Sequence, residues 1–261
     1  MFKDLEKMAS HFYNKSTDIV ITNKLDTYKI IPGKTKKKIN PAEHCISAIS
    51  ASLQYCFWYG DSSFRPVDSQ DVDQLVSRVL KEVQPKEIHF YKNNLIEELK
   101  SYNITMLPER IQSVKDIFKL DFVQYEKLKE NPIKSIQVLL NNPAFNDFFM
   151  KKAIYAVART YRQLGKLSEL TIPVPCDYRV PQALEALGLI KYSKQLKTMI
   201  DTDVLIPEGS KLEVEIRSAT LLACNKLARI NKITPNQVDT HLFNIARQLT
   251  TKHHLTYTTN Y

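Results

Sequence analysis

Five glycines in 261 residues, at positions 33, 60, 165, 188 and 209, leave this chain few points where its backbone can turn left-handed without steric cost. Phosphate-cradling loops need two or three glycines within a few positions, whereas the nearest pair here is 21 residues apart (209 − 188). ATP or dinucleotide binding through such loops is therefore not expected. Scarce glycine, dispersed proline and long apolar patterns of 3.6-residue period together read as a mainly α-helical protein.

Helices are expected over 1–12, 41–60, 69–83, 92–102, 107–117, 122–129, 132–140 and 143–164. Four more are expected near 180–187, 193–200, 210–230 and 234–249, and 18–32 reads as a short extended or irregular segment. In the helix over 41–60, Ile46, Ile49, Leu53 and Phe57 share one face. The last helix opens on "TPNQ", a threonine N-cap with proline at the first helical position. No repeat, heptad array or low-complexity stretch interrupts this series. The chain is long enough for one large domain or for two small ones sharing a core.

Cys45, Cys56, Cys176 and Cys224 are far apart, with no CxxC spacing and no histidines at zinc-finger intervals. Reduced thiols and no metal or other cofactor are expected. No apolar run reaches the roughly 18 residues of a membrane span, and the charged, amphipathic start is unlike a signal peptide. A cytoplasmic protein without a membrane partner is the expectation. The net charge of +9 points to an anionic partner: nucleic acid, nucleotide or phosphate. Lys34, Lys36, Lys37 and Lys38 form a short run that reads most simply as a solvated loop.

The stretch "TIPVPCDYRVPQALEALGLI" (171–190) puts Pro173, Pro175 and Pro181 within nine positions around Asp177. Proline fixes its own φ and restrains the residue before it, so Asp177 lies on stiff backbone. Such an acid suits a reaction centre, and it equally suits a cap for the helix starting near Val180. Lys151 and Lys152 open an apolar helix at positions where periodicity predicts burial, although a lysine at a helix turn is usually solvated. Asp239 stands between Val238 and Leu242-Phe243, where a first-turn acid would serve the helix dipole. Tyr55, Phe57, Trp58 and Tyr59 can stack on a base or fill a core. In "KLEVEIRS", Glu213 and Arg217 are spaced as a surface ion pair.

Taken in order, "LQYCFW", "FMKKAIY", "DYRVPQALEALGLIKYS", "EGSKLEVEIRSA", "VDTHLFNIAR" and "HHLTYTTNY" resemble the queuosine salvage family, the queuosine 5′-phosphate N-glycosylases/hydrolases. The resemblance spans 45–261 and is strongest from 148 onward. "IPVPCDYRV" and "VDTHLF" also resemble helix-hairpin-helix DNA glycosylases of the archaeal 8-oxoguanine type. The chain departs from the salvage pattern in a shorter middle, and in serines where an acid usually precedes the aromatic pair.

The resemblance implies an all-α, helix-hairpin-helix glycosylase-like fold with two helical halves around a central cleft. Residues 1–261 would form a single domain, with 1–140 giving one wall of the cleft and 141–261 the catalytic motifs. It implies hydrolysis of the N-glycosidic bond of queuosine 5′-monophosphate, which releases queuine for tRNA modification. Asp177 is implied as the catalytic carboxylate and Lys151 as the second catalytic residue, with Lys152 one position away as the alternative. Asp239 would read the base, and Phe57 and Trp58 would stack on it. Arg179, Arg217 and His254 would meet phosphate or ribose, with Tyr178 and Phe243 as further substrate-binding residues. The partner would be a small-molecule nucleotide and the protein a monomer. Two other classes remain open: a repair glycosylase acting on duplex DNA, and a non-catalytic helical nucleic-acid binder.

Overall fold

Among the described residues, prolines and glycines fall mainly at the ends of helices. Pro132 and Pro235 each open a helix, where the missing N–H would have had no intrahelical partner. Gly188 closes one with φ +68°: its N–H reaches the Glu185 carbonyl, and the next N–H, of Leu189, reaches that of Leu184. The computed structural model describes residues 1–32, 42–58 and 69–261. The lysines at 34, 36, 37 and 38, and Tyr59, lie outside the described residues.

Among the described residues there are twelve α-helices and one two-stranded sheet. In chain order they are α1 (Phe2–Tyr13), β1 (Ile19–Ile21), α2 (Glu43–Ser52), α3 (Ser69–Val79), α4 (Lys92–Lys100), α5 (Leu107–Ile117) and α6 (Phe122–Glu126). There follow α7 (Pro132–Leu140), α8 (Lys151–Gln163), α9 (Arg179–Ala186), β2 (Ile190–Tyr192), α10 (Lys194–Asp201), α11 (Lys211–Asn231) and α12 (Pro235–Ala246). The fold is mostly helical, as expected. No helix among the described residues is long and apolar enough to cross a membrane.

The helix starts have local causes. Asn131, Ser193, Ser210 and Thr234 each accept an N–H from the first turn of α7, α10, α11 and α12. Each such cap is worth about 1 kcal/mol. Thr234 and Gln237 close a reciprocal capping box, as "TPNQ" predicts.

The described residues fall into two compact units. One comprises residues 1–32 and 171–258; α11 is its central helix, with α1, α9 and α12 against it. β1 and β2 pair antiparallel there, Ile19 opposite Tyr192 and Ile21 opposite Ile190. The other comprises 42–58, 69–170 and 259–261, and its centre is α2 packed along α8.

Three segments differ from the sequence expectation. The helix over 41–60 stops at Ser52, and α2 is buried on every side instead of one. Its small Ala and Ser side chains allow close packing, and its buried polar groups are bonded: His44 to Thr160 and Ser135, Ser52 to the Ile49 carbonyl. The helix over 143–164 is broken into a 3₁₀ turn, Pro143–Phe145, and α8. Asp147 causes the break, accepting from the N–H groups of Phe149 (3.1 Å) and Lys151 (2.7 Å), while Met150 turns left-handed. The strand β2 stands at 190–192, between two expected helices.

Candidate active site

The proline-rich connection before α9 is held from two helices. Asn236 of α12 donates Nδ2–H to the carbonyls of Ile172 (2.9 Å) and Pro173 (3.4 Å). Arg217 of α11 donates Nε–H to the Cys176 carbonyl at 3.1 Å. Asp177 follows, half-buried, and its Oδ1 accepts from the N–H groups of Arg179 (2.8 Å) and Val180 (3.3 Å). The carboxylate thus caps α9, favoured there by the positive end of the helix dipole. The two amides fix the orientation of the carboxylate.

Around this acid, Tyr178 lies against the His253 ring at 4.3 Å between centroids. Arg179 Nη1 donates to Gln182 Oε1 at 2.8 Å, and Gln182 in turn donates to the Thr251 carbonyl. His254 is buried, and burial followed by the Arg217 charge pushes its pKa down to about 3. It is a neutral imidazole at neutral pH, able to exchange hydrogen bonds but not to act as a cation.

One surface reading is corrected. Arg217 and Glu213 pair at 3.4 Å with side chains only 3% and 4% exposed. Helical spacing makes them neighbours, and α11 crosses the core of its unit, so both are inside. Asp239 falls in the second turn of α12, beyond the first-turn dipole position, and is buried. Burial above all, then the charges of Cys176 and Asp239, push the Cys224 thiol up. Phe243 is one turn further on the same face, half-buried.

The other unit carries Lys151, Phe57 and Trp58. Lys151 and Lys152 open α8, and both are buried, 4% and 2% exposed, as the apolar period of the helix predicts. Lys151 Nζ donates to the Gln54 carbonyl at 2.5 Å, and Lys152 Nζ stands 4.9 Å from the Tyr55 ring. Lys151 Nζ also stands 5.5 Å from the centre of the Tyr155 ring, so each lysine faces a different tyrosine. Tyr55, Phe57 and Trp58 are buried in the segment after α2.

Sequence reasoning missed the residue that organises this segment. Arg110 of α5 is fully buried and donates to the carbonyls of Leu53, Tyr55 (2.5 Å), Cys56 (3.3 Å) and Thr105 (2.8 Å). Its guanidinium also lies over the rings of Tyr55 (4.3 Å) and Phe57 (4.7 Å), a cation–π contact on each. The signal was present: Arg110 falls on the apolar stripe Leu107, Val114 and Ile117 of its helix. A charge on such a stripe is either solvated by a bend or fully bonded inside.

Residues 149–261 match the model of the queuosine salvage protein family. Three relatives carry the name queuosine 5′-phosphate N-glycosylase/hydrolase. The one from Dictyostelium discoideum is 42% identical over 86 residues, 31% of this chain and 27% of its own length. The one from Nematostella vectensis is 27% identical over 169 residues, 53% of this chain and 49% of its own. The one from Schizosaccharomyces pombe is 30% identical over 110 residues, 39% of this chain and 32% of its own. The matched segments thus span about half the relatives' length or less. The resemblance to the salvage family read from the sequence is borne out, and most firmly over the segment that carries Lys151, Asp177, Arg217, Asp239 and His254.

Proposed function

We propose that this protein hydrolyses the N-glycosidic bond of queuosine 5′-monophosphate, releasing queuine base and ribose 5-phosphate. The family match over 149–261 carries the proposal, because it covers the constrained acid and its surroundings. Water adds to C1′ as the bond to the base breaks, and the ribose passes through a cationic, oxocarbenium-like state. Asp177, oriented by the amides of Arg179 and Val180, stabilises that cation and orients or deprotonates the water. A 7-deazapurine has carbon at position 7, so protonation there cannot aid departure, and electrostatic stabilisation must lower more of the barrier.

Lys151 is proposed as the second catalytic group and Asp239 as the acceptor for the N–H donors of the base. Phe57 and Trp58 supply stacking faces. Arg179, Arg217 and a neutral His254 address phosphate and ribose oxygens, with Tyr178 and Phe243 at the substrate. The same proposal includes a helix-hairpin-helix glycosylase-like domain over 1–261, with two helical halves around a cleft, and a monomer in the cytoplasm. One assay tests the activity: purified protein is incubated with queuosine 5′-monophosphate, queuosine or an 8-oxoguanine-containing duplex, and released base is quantified. Release from the nucleotide is expected. Release from the duplex alone, or from none of the three, would overturn the proposal.

A further inference from the structure

We infer that Asp73 is a positioning residue for Lys151, holding two groups that surround its amine; this rests on the catalytic reading of Lys151 above. Lys151 Nζ donates to the Gln54 carbonyl at 2.5 Å and stands 5.5 Å from the centre of the Tyr155 ring. Gln54 and Tyr155 belong to different elements, the segment after α2 and the first turns of α8. Both are tied to one carboxylate on a third element, α3. Gln54 Nε2 donates to Asp73 Oδ1 at 3.0 Å, and the Tyr155 hydroxyl donates to Asp73 Oδ2 at 3.2 Å.

The anchor is itself held. Arg159 Nη1, buried, pairs with Asp73 Oδ1 at 2.6 Å, and the Ser50 hydroxyl donates to the same oxygen. Burial pushes the Tyr155 hydroxyl well above its usual range, so it stays protonated and keeps donating. A lysine amine on four rotatable bonds has no fixed position of its own. Here Asp73 holds the side chain of the residue whose carbonyl accepts from the amine, and the hydroxyl of the ring beside it. A displacement of about 1 Å at a reacting group can cost up to about a hundredfold in rate. Asp73 therefore acts on the chemistry through Lys151 without touching substrate.

The test compares Asp73→Asn and Tyr155→Phe in the wild-type and Lys151→Met backgrounds, with folding checked by thermal melting. On queuosine 5′-monophosphate, each is expected to lower kcat about ten- to hundredfold in the wild-type background, with little change in KM. In the Lys151→Met background each should cost less than about twofold, the tolerance for sites that do not act independently of the lost amine. Equal losses in both backgrounds would mark a merely structural residue and overturn the inference. A second readout needs no activity: in protein labelled with ¹³C-lysine, the Lys151 Cε resonance, assigned by its absence from Lys151→Met, should move in both variants. An unmoved resonance overturns the positioning role. If wild-type protein releases no base while the resonance moves, the catalytic reading fails and the positioning role stands. Should Asp73→Asn not fold, Tyr155→Phe and Gln54→Leu, which cut single links, carry the same comparison.

Discussion

Arg217 donates to the carbonyl of Cys176 at 3.1 Å, so a buried guanidinium on α11 holds the backbone immediately before Asp177. The same side chain pairs with Glu213 one turn away. Arg217→Met should therefore do two kinds of damage: it strips a buried carboxylate of this cation and releases the backbone next to Asp177. Removing one partner of a buried pair costs about 3–5 kcal/mol. Replacing both, Glu213→Leu with Arg217→Met, should recover most of that stability in urea unfolding. Base release should stay impaired in the double variant, since the tie to Cys176 is not restored. Full recovery of turnover along with stability would show that the tie is dispensable.

Buried neutral histidines predict a pH dependence with a definite sign. His44, stacked on Tyr125 at 4.1 Å, and His254 each have a folded pKa pushed down to about 3, by burial above all. An unfolded histidine titrates near 6.5. Their neutrality costs nothing above that value, and stability is lost as pH falls from about 6.5 toward 3. The slope is about 1.4 kcal/mol per pH unit for each histidine, from the one extra proton bound by the unfolded chain. At pH 4.5 each should have cost about 3 kcal/mol relative to neutral pH. His44→Gln should flatten the slope between pH 6 and 4.5 by about one proton in urea unfolding. An unchanged slope would mean that His44 already binds its proton in the folded state.

Arg110 offers a test of what shapes the aromatic segment. Arg110→Leu keeps much of the stem but removes the donors to the carbonyls of Leu53, Tyr55, Cys56 and Thr105. Each buried acceptor left without its donor costs about 1–3 kcal/mol, so the total is expected to be severe. Arg110→Lys keeps the charge but, with a compact ammonium, cannot span those carbonyls at once. It should melt between wild type and Arg110→Leu, with the near-ultraviolet circular dichroism of Trp58 and Tyr55 altered. A lysine variant indistinguishable from wild type would show that charge alone suffices there.

How much of this was legible in the sequence depended on how local the cause was. The helices over 107–117 and 132–140 were read at their observed bounds, because proline and apolar spacing set them within the segment. The Thr234 box and the Asp177 cap were equally readable, since donor and acceptor lie within three residues. The helix over 41–60 was read too long because what accompanies its end comes from elsewhere: Arg110 and Lys151 take the carbonyls that follow Ser52, across 55 and 97 residues. The Glu213–Arg217 spacing was read correctly and its burial was not, since spacing fixes neighbours along a helix but not what covers them. Asp73 carried no local sign at all. Its partners Gln54 and Tyr155 are 19 and 82 residues away, and on α3 alone it reads as one more solvated acid.

Asp177 and Lys151, the two proposed catalytic groups, can be separated by substitution. Asp177→Asn preserves volume and keeps an oxygen able to accept from the Arg179 and Val180 amides, but removes the negative charge. If that charge stabilises the ribosyl cation, the loss falls on the transition state and not on the bound substrate. Turnover of queuosine 5′-monophosphate should then fall by roughly 10² or more, with affinity within about tenfold of wild type. Melting should change little, because a neutral cap still serves α9. Lys151→Met removes an amine that meets the Gln54 carbonyl. A rise in KM larger than the fall in kcat would assign Lys151 to binding phosphate, whereas a fall in kcat at constant KM would assign it to the chemical step. Borohydride trapping distinguishes a third outcome, since a covalent adduct with DNA would require the amine as nucleophile and move the protein to the repair class. Asp177→Asn with near wild-type turnover would remove Asp177 from the mechanism whatever Lys151 does.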